Sequence, residues 1–363
     1  MRCIDSFKKK IFLFAALSFL AITPADACTR VLYTGDENTV ITGRSMDWTE
    51  DMYSDIWVFP RGMDRSSGGH SRSFSWTSKY GSVITAGYNV ASADGVNEKG
   101  LAANLLYLAE SDYGKPDNSK PILSISLWAQ YVLDNFDSVA EAVTELEKNS
   151  FQIVAPTIPN GEPAQLHLSL SDPTGDSAIF EYVEGKLVVH HGKEYTVMTN
   201  SPYYNQQLAL NSYWENIGGT VFLPGTNRAA DRFARASFFL NAVPKKIDPN
   251  FINAVPEKKF EFQAVASVLS IMRSVSVPLG ITTPNQPNIA STLWRTITDH
   301  KGLIYYFDSS TSPNVFWIPL AELNFSKGAS VLKLKIAGGH YYSGNASGNL
   351  VEAKPFEFLP ATP

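Results

Sequence analysis

The chain has 363 residues, of which 44% are hydrophobic and 18% are charged, which is the composition of an ordinary globular protein. A formal net charge of −5, with no basic block, argues against nucleic-acid binding. Two cysteines are too few for a disulfide-stapled scaffold or for a zinc site built from three or four thiolates.

Residues 1–27 have the layout of a secretory signal peptide. A basic start precedes an apolar run over 11–22, and an A-x-A pattern ends at Ala27. The apolar run is shorter than the roughly 20 residues that span a bilayer. We therefore expect removal of residues 1–27, export to the periplasm or beyond, no stable membrane insertion, and a single mature domain over 28–363.

Cleavage after Ala27 discards Cys3 and makes Cys28 the first residue and the single thiol of the mature chain. One explanation is acylation, which would make the protein a lipid-anchored binding lipoprotein, but the charge of Asp26 disfavours that processing. The other explanation is chemical. A first-residue thiol lies beside a free α-amine of reference pKa about 7.7–8.0, which can serve as its base in N-terminal-nucleophile catalysis.

The first mature residues predict a β-hairpin, with strands over 28–34 and 39–48 separated by a Gly-Asp-Glu-Asn turn. Such a hairpin carries Cys28 back towards Arg44 and Asp47. Alternating or apolar runs predict the later strands at 55–62, 82–90, 101–108, 165–172, 177–184, 186–192, 195–202, 292–299, 302–310, 314–320 and 330–336.

Helical spacing of apolar residues predicts helices over 122–136, 228–243 and 260–275. Ser138 is the expected N-cap of a further helix that begins at Val139. Blocks of strands alternating with blocks of helices predict sheets stacked under helical layers in one domain, rather than a parallel βαβ alternation.

The histidines show no metal-ligand spacing, and we interpret them as structural or surface residues: His70, His167, His190, His191, His300 and His340. We expect neither a metal nor another cofactor.

Short motifs then occur in a recognisable order: Cys28-Thr29-Arg30, Gly43-Arg44-Ser45-Met46-Asp47-Trp48, Asp94-Gly95-Val96-Asn97-Glu98-Lys99-Gly100-Leu101, Thr199-Asn200-Ser201-Pro202 and Asp231-Arg232-Phe233. Together they resemble the choloylglycine hydrolase family, which holds bile salt hydrolases and penicillin V acylases. The resemblance covers essentially the whole mature chain. It implies an α+β fold, the four-layer αββα sandwich of N-terminal-nucleophile hydrolases. It also implies hydrolysis of a non-peptide C–N amide bond and assembly as a homotetramer.

The resemblance also implies the roles of individual residues. Cys28 is the implied nucleophile, Arg44 would stabilise its thiolate, and Asp47 would orient the α-ammonium group. Asn200 and the backbone N–H of Tyr107 would donate to the oxyanion.

Arg232 would complete the polar cluster by stabilising charge in the transition state. The spacing of the residues alone gives plainer interpretations. Arg232 would lie on the solvated face of an amphipathic helix, and Arg44 and Asp47 would form an ordinary ion pair. Asn200 would be a turn residue, and Tyr107 would be a core aromatic residue.

Tyr107 is a departure within the resemblance, because many Gram-positive bile salt hydrolases have asparagine there whereas penicillin V acylases have tyrosine. The signal peptide is a second departure, and it resembles the exported Gram-negative branch. There, activities on penicillin V, bile salts and long-chain acyl-homoserine lactones overlap. An acyl-homoserine-lactone acylase, which would quench quorum signals, is therefore the alternative within the class.

An amide hydrolase of this kind needs an apolar pocket on the acyl side of the bond. Aromatic and methionine side chains suit an aromatic ring, a steroid or an acyl tail. The candidate substrate-binding residues near the nucleophile, each also readable as core, are Met46, Trp48, Met52, Tyr53 and Leu108, beside Tyr107.

Overall fold

The computed structural model describes residues 28–115, 117–284 and 289–361. The predicted signal peptide, with Cys3, lies outside the described residues. The strands are β1 (Thr29–Thr34), β2 (Val40–Trp48), β3 (Ile56–Phe59), β4 (Asp64–Ser66), β5 (Ser75–Thr77), β6 (Ser82–Gly87), β7 (Ala91–Asn97), β8 (Ala102–Tyr107), β9 (Ile122–Ser124), β10 (Gln152–Val154), β11 (Leu166–Ser171), β12 (Ser177–Val183), β13 (Lys186–His191), β14 (Val197–Met198), β15 (Ser291–Asp299), β16 (Ile304–Ser309), β17 (Val315–Pro319), β18 (Leu332–Leu334), β19 (Gly344–Asn345) and β20 (Val351–Glu352). The α-helices are α1 (Trp128–Asn135), α2 (Val139–Leu146), α3 (Tyr204–Ile217), α4 (Ala229–Ala242) and α5 (Phe260–Ser274).

Two large sheets organise the chain. Over the described residues, the first sheet has seven strands in the order β14-β1-β2-β15-β16-β17-β19. The second has nine strands in the order β13-β12-β11-β8-β7-β6-β3-β18-β20. Apart from the parallel β17–β19 pair, neighbouring strands in both sheets are antiparallel.

The alternation of side chains along β3 shows how the layers stack. Ile56 and Val58 belong to one buried cluster, whereas Trp57 and Phe59 belong to another. Since neighbouring strand residues face opposite sides, the second sheet is buried on both faces. Helices α1 and α2 contact its outer face, and α4 and α5 contact the first sheet. The predicted αββα sandwich is confirmed.

The predicted N-terminal hairpin is also confirmed. Strands β1 and β2 pair antiparallel, with Thr29 opposite Ser45 and Arg30 opposite Arg44. This register places Cys28, one residue before β1, opposite the Met46–Asp47 end of β2. Strand β2 lies next to β15 on its other side, so it is central in its sheet.

One helix prediction needs correction, and one helix was not predicted. The helix predicted over 122–136 is wrong at its start, because Ile122–Ser124 form β9, which pairs in parallel with β10, and the α-helix begins at Trp128. Helix α3 has no counterpart among the predicted elements. The N-cap prediction holds, since the Ser138 side chain accepts a hydrogen bond from the Glu141 backbone N–H.

Histidine 300 has a structural role between the sheets. Its Nε2 lies 2.7 Å from the Thr42 hydroxyl of the first sheet, and its Nδ1 lies 2.6 Å from the Gly100 carbonyl oxygen at the end of the second. Burial lowers the pKa of His300 to about 4, so its ring is neutral at neutral pH.

Within the described residues, no group of His, Cys, Asp or Glu side chains is arranged to hold a metal ion. None of the helices described here has the length and apolar character needed to cross a bilayer.

A glycine in β2 allows α5 to pack closely on the strand that carries Arg44. A Cβ at Gly43 would lie 2.7 Å from Val268 Cγ1 and 2.8 Å from Met272 Cγ. We expect Gly43→Ala to lower the free energy of unfolding by about 1–3 kcal/mol through overpacking. Urea unfolding measures this change. Gly348→Ala is the matched control, because a Cβ there meets nothing within 4 Å. Equal stability of the two variants would contradict the prediction.

Candidate active site

The thiol of Cys28 lies in a buried polar and sulfur-rich environment at the start of β1, with 1% of the residue exposed. Its Sγ is 3.8 Å from the Asp47 carbonyl oxygen, 3.9 Å from the Met46 Sδ and 3.9 Å from an Arg44 guanidinium nitrogen. Burial raises the pKa of the Cys28 thiol, although Arg44 acts in the opposite direction. The thiol of Cys28 is therefore harder to ionise than that of an exposed cysteine.

Arg44 connects the thiol to the second sheet. Its guanidinium donates a 2.9 Å hydrogen bond to the Leu105 carbonyl oxygen and a 3.4 Å hydrogen bond to the Met46 thioether. It also lies 4.5 Å from the ring centre of Trp294, a cation–π contact from β15. These contacts hold a buried positive charge beside the sulfur.

Asp47 is a buried carboxylate with two different oxygen environments. Oδ1 accepts a 2.5 Å hydrogen bond from the Thr292 hydroxyl. Oδ2 lies 3.7 Å from the Arg232 guanidinium and has no hydrogen-bond partner among the described residues. Burial raises the pKa of Asp47 to about 6, although Arg232 and the Thr292 hydrogen bond lower it. Oδ2 is thus a buried acceptor available to a cation at the start of β1.

Arg232 extends from α4 to the N-terminal end of β1. Its guanidinium donates to the Cys28 carbonyl oxygen at 2.6 Å, to the Thr29 hydroxyl at 2.5 Å, to the Asn200 Oδ1 at 2.9 Å and to the Asn227 carbonyl oxygen at 3.0 Å. Helical spacing alone predicts that Arg232 lies on a solvated face of α4, and that prediction is therefore wrong. Arg232 is fully buried because α4 packs against β1, where the side chain meets four acceptors.

Asn200 is held from three sides just after β14. Its Nδ2 donates to the Tyr107 carbonyl oxygen at 2.6 Å, and its Oδ1 accepts from Arg232. The buried Gln207 side chain, from α3, donates to the Asn200 carbonyl oxygen at 3.0 Å and to the Ser201 carbonyl oxygen at 2.6 Å. The amide orientation is therefore set by the surrounding residues rather than by a turn alone.

A small apolar cavity of about 80 Å³ opens onto Cys28. Of the candidate substrate-binding residues, Met46, Trp48 and Met52 line it, as does Tyr107. Tyr53 is 59% exposed and does not line the cavity, nor does the buried Leu108. Leu108 follows the last residue of β8, Tyr107, and is fully buried.

Several residues of the site were not predicted from the sequence. They are Thr292 and Trp294 on β15, Gln207 on α3, the Leu105 carbonyl on β8, and the cavity residues Tyr88, Val90, Ile125, Ser126, Ile158 and Leu359. Thr292 is paired with Asp47 in the β2–β15 register, but that pairing joins segments far apart in the chain. The sequence pattern of residues 292–299 predicts a strand, but it does not show which strand pairs with it.

The fold and the site together define a class. A cysteine just before an inner strand of an αββα sandwich, with buried arginines, a carboxylate and an asparagine around it, is the arrangement of an N-terminal-nucleophile hydrolase. A family model described as linear amide C–N hydrolases, choloylglycine hydrolase family, matches residues 28–333. The chain belongs to this family and is an enzyme that acts on linear amides.

Two acylases are similar over nearly their full length. A penicillin V acylase of Pectobacterium atrosepticum is 51% identical over 364 residues, which is 94% of this chain and 96% of that protein. The solved structure of a penicillin V acylase from Agrobacterium tumefaciens superposes with a TM-score of 0.82 at 56% identity, covering 92% of this chain and all of the other.

A bile salt hydrolase/transferase of Clostridium perfringens is a more distant relative. It is 31% identical over 248 residues, which is 60% of this chain and 73% of that protein.

The hydrogen bond between Thr292 and Asp47 leads to a stability prediction. Thr292→Val keeps the side-chain shape but leaves a buried carboxylate oxygen unpaired, and it also removes the acceptor of the Val277 backbone N–H. We expect a loss of about 1–3 kcal/mol in the free energy of unfolding at pH 8, where Asp47 is ionised. Chemical denaturation measures it. Thr298→Val, at a buried position on the same strand, is the control, and an equal effect of both substitutions would contradict the prediction.

Proposed function

We propose that this enzyme cleaves the amide bond of small molecules with an apolar acyl group, with Cys28 as the nucleophile. The observation that supports this proposal is the position of Cys28, which lines an apolar cavity and lies beside buried Arg44, Asp47 and Arg232. An apolar acyl group in the cavity would bring its carbonyl carbon to the sulfur. Arg44 lines the same cavity as Cys28, so its positive charge lies beside the place where the tetrahedral intermediate would form.

The base in this proposal is the α-amine of Cys28, generated when residues 1–27 are removed. The raised pKa of the Cys28 thiol means that a base must take its proton, and the amine of the same residue is within reach. The Asp47 Oδ2, which has no hydrogen-bond partner among the residues described, would accept a hydrogen bond from the ammonium form. This hydrogen bond would hold the α-amine in a fixed orientation.

The chemical steps balance without a cofactor. The amine takes the thiol proton while the sulfur forms a bond to the carbonyl carbon. The ammonium then gives that proton to the leaving nitrogen as the C–N bond breaks, which leaves a thioester. Water, deprotonated by the same amine, attacks the thioester and releases the carboxylic acid and the free thiol.

The oxyanion of the tetrahedral intermediate would be stabilised by Asn200 and by the Tyr107 backbone N–H. One hydrogen of the Asn200 amide is used on the Tyr107 carbonyl oxygen, and an amide nitrogen carries two. Arg232 fixes the amide through its Oδ1, and Arg44 holds positive charge beside the sulfur. Preorganised donors of this kind lower a barrier because they need no reorientation during the reaction.

For the substrate, we propose a penicillin V type of acyl amide, in which a phenoxyacetyl group enters the cavity. The similarity to two penicillin V acylases supports this choice, as does the aromatic lining by Trp48 and Tyr107, whose rings lie 5.9 Å apart in a T-shaped pair. Conjugated bile salts and acyl-homoserine lactones are the competing substrate classes, because an apolar wall also accepts a steroid or an acyl tail.

We also propose that the mature enzyme is one domain over residues 28–363, exported to the periplasm or secreted, and a homotetramer. The layout of residues 1–27 supports export. The homotetramer is what the resemblance of the sequence motifs to this family implies, and the sandwich with its two buried clusters supports a single domain.

Replacing the nucleophile tests the mechanism. We expect Cys28→Ser to lose at least 100-fold in kcat, about 3 kcal/mol of barrier, because a hydroxyl is far less acidic than a thiol and the amine is too weak a base for it. Steady-state kinetics on the best substrate measures this, with a melting curve to show that the variant is folded. Wild-type turnover by the serine variant would refute the mechanism.

Asn200→Ala tests the oxyanion assignment. We expect kcat to fall by about 10²–10³-fold with a small change in KM, because the donor acts on the transition state more than on the bound substrate. Asn205→Ala, on the exposed side of α3, is the control for an asparagine outside the site. A loss confined to KM would contradict the assignment.

A parallel measurement of kcat/KM identifies the substrate class. The panel contains penicillin V, glycine- and taurine-conjugated bile salts, and acyl-homoserine lactones of increasing tail length. We expect penicillin V to give the highest value. A higher value for either other class would replace the substrate assignment and leave the thiol mechanism standing.

Intact mass and N-terminal sequencing test the processing. We expect a mature chain that starts at an unmodified Cys28. A diacylglyceryl adduct on Cys28 would contradict the proposal, because acylation of the amine or thiol removes the base or the nucleophile.

A further inference from the structure

One residue of the cavity lining, Leu359, comes from the C-terminal segment of the chain. Leu359 lines the cavity together with Val90, Ile125 and Ser126. We call residues 353–361 the C-terminal strap. The family model ends at residue 333, so the strap lies outside the segment that this model matches.

The strap is fixed on both sides of Leu359. The Leu359 backbone N–H donates to the Val90 carbonyl oxygen at 2.9 Å, and the Leu359 carbonyl oxygen accepts from the Ser124 and Ser126 hydroxyls at 2.7 and 2.8 Å. Two residues further on, the Ala361 backbone N–H donates to the Ser67 carbonyl oxygen at 3.0 Å. The backbone that carries the Leu359 side chain therefore has a defined position.

Aromatic packing anchors the strap before it reaches the cavity. The Phe356 ring lies 5.2 Å from Trp57 and 5.9 Å from Phe59, and the Phe358 ring lies 6.4 Å from Phe59. These rings cover the outer face of β3, whereas Leu359 reaches the cavity. The strap is thus a packed part of the second sheet's outer layer.

We propose that Leu359 is a specificity-determining residue, which sets the length of the acyl group that the enzyme accepts. This inference depends on the proposed function. Cys28, Met46 and Leu359 all line this cavity, and Leu359 belongs to a segment whose aromatic residues pack on the second sheet. With a cavity of about 80 Å³, the few carbon atoms of one leucine side chain are a large fraction of the available room.

The test uses straight-chain acyl amides of one common amine, chosen from the substrate class that the wild type cleaves, with the acyl chain extended one methylene at a time. Leu359→Ala removes three carbon atoms, so we expect the preferred chain to lengthen by two or three methylenes. The ratio of kcat/KM for long over short chains should rise at least about tenfold. Leu359→Phe should move the preference towards shorter chains.

Leu350→Ala is the matched control, because this half-buried leucine of the same C-terminal region packs against the core without lining the cavity. It should keep the wild-type chain-length profile. If both Leu359 variants melt like the wild type and keep its profile, the inference is overturned while the proposed function stands. If the wild type cleaves no acyl amide, the proposed function is overturned, and this inference with it.

Discussion

The buried guanidinium of Arg232 is the interaction on which the site depends. It joins the carbonyl group of Cys28, the hydroxyl of Thr29 and the side chain of Asn200, and it is the positive partner of Asp47. A buried charge is stable in a protein only when it is paired and hydrogen-bonded. The acceptors that satisfy Arg232 are therefore held in fixed positions, and helix α4 cannot move away from β1 without leaving that charge unpaired.

Arg44 is the second buried arginine of the site, and it connects the two sheets. It reaches the Leu105 carbonyl oxygen on β8 and the Trp294 ring on β15 while lying beside the sulfur. The two arginines approach Cys28 from different layers of the sandwich. One fixes the backbone of Cys28 and the other places positive charge beside its thiol. This division explains why the sulfur can be buried and still be surrounded by polar groups.

The residues that could be predicted from sequence are those whose signals are local. The hairpin that brings Cys28 to Arg44 and Asp47 follows from two short strands and a turn, and the layer order follows from blocks of strands and helices. Helix α3 was missed because its buried positions are Tyr204, Gln207 and Asn211, two of which are polar amides that give no hydrophobic period. Helical spacing alone places Arg232 on a solvated face, because spacing cannot show a hydrogen-bonded charge; only the resemblance to the family implied its place in the polar cluster. Thr292, Trp294 and Leu359 reach the site through strand pairing and through the C-terminal strap, which join distant segments of the chain.

The hydrogen bonds of the site also have a consequence for when activity can appear. The bond from Arg232 to the Cys28 carbonyl spans 204 residues of chain, that from Thr292 to Asp47 spans 245, and that from Asn200 to Tyr107 spans 93. Each of these contacts closes a long loop, and such contacts form only as the whole chain reaches its native topology. In an unfolded chain, the thiol has none of these neighbours. Catalytic competence is therefore a property of complete folding, and turnover reports on the native state of the entire sandwich rather than on the N-terminal hairpin alone.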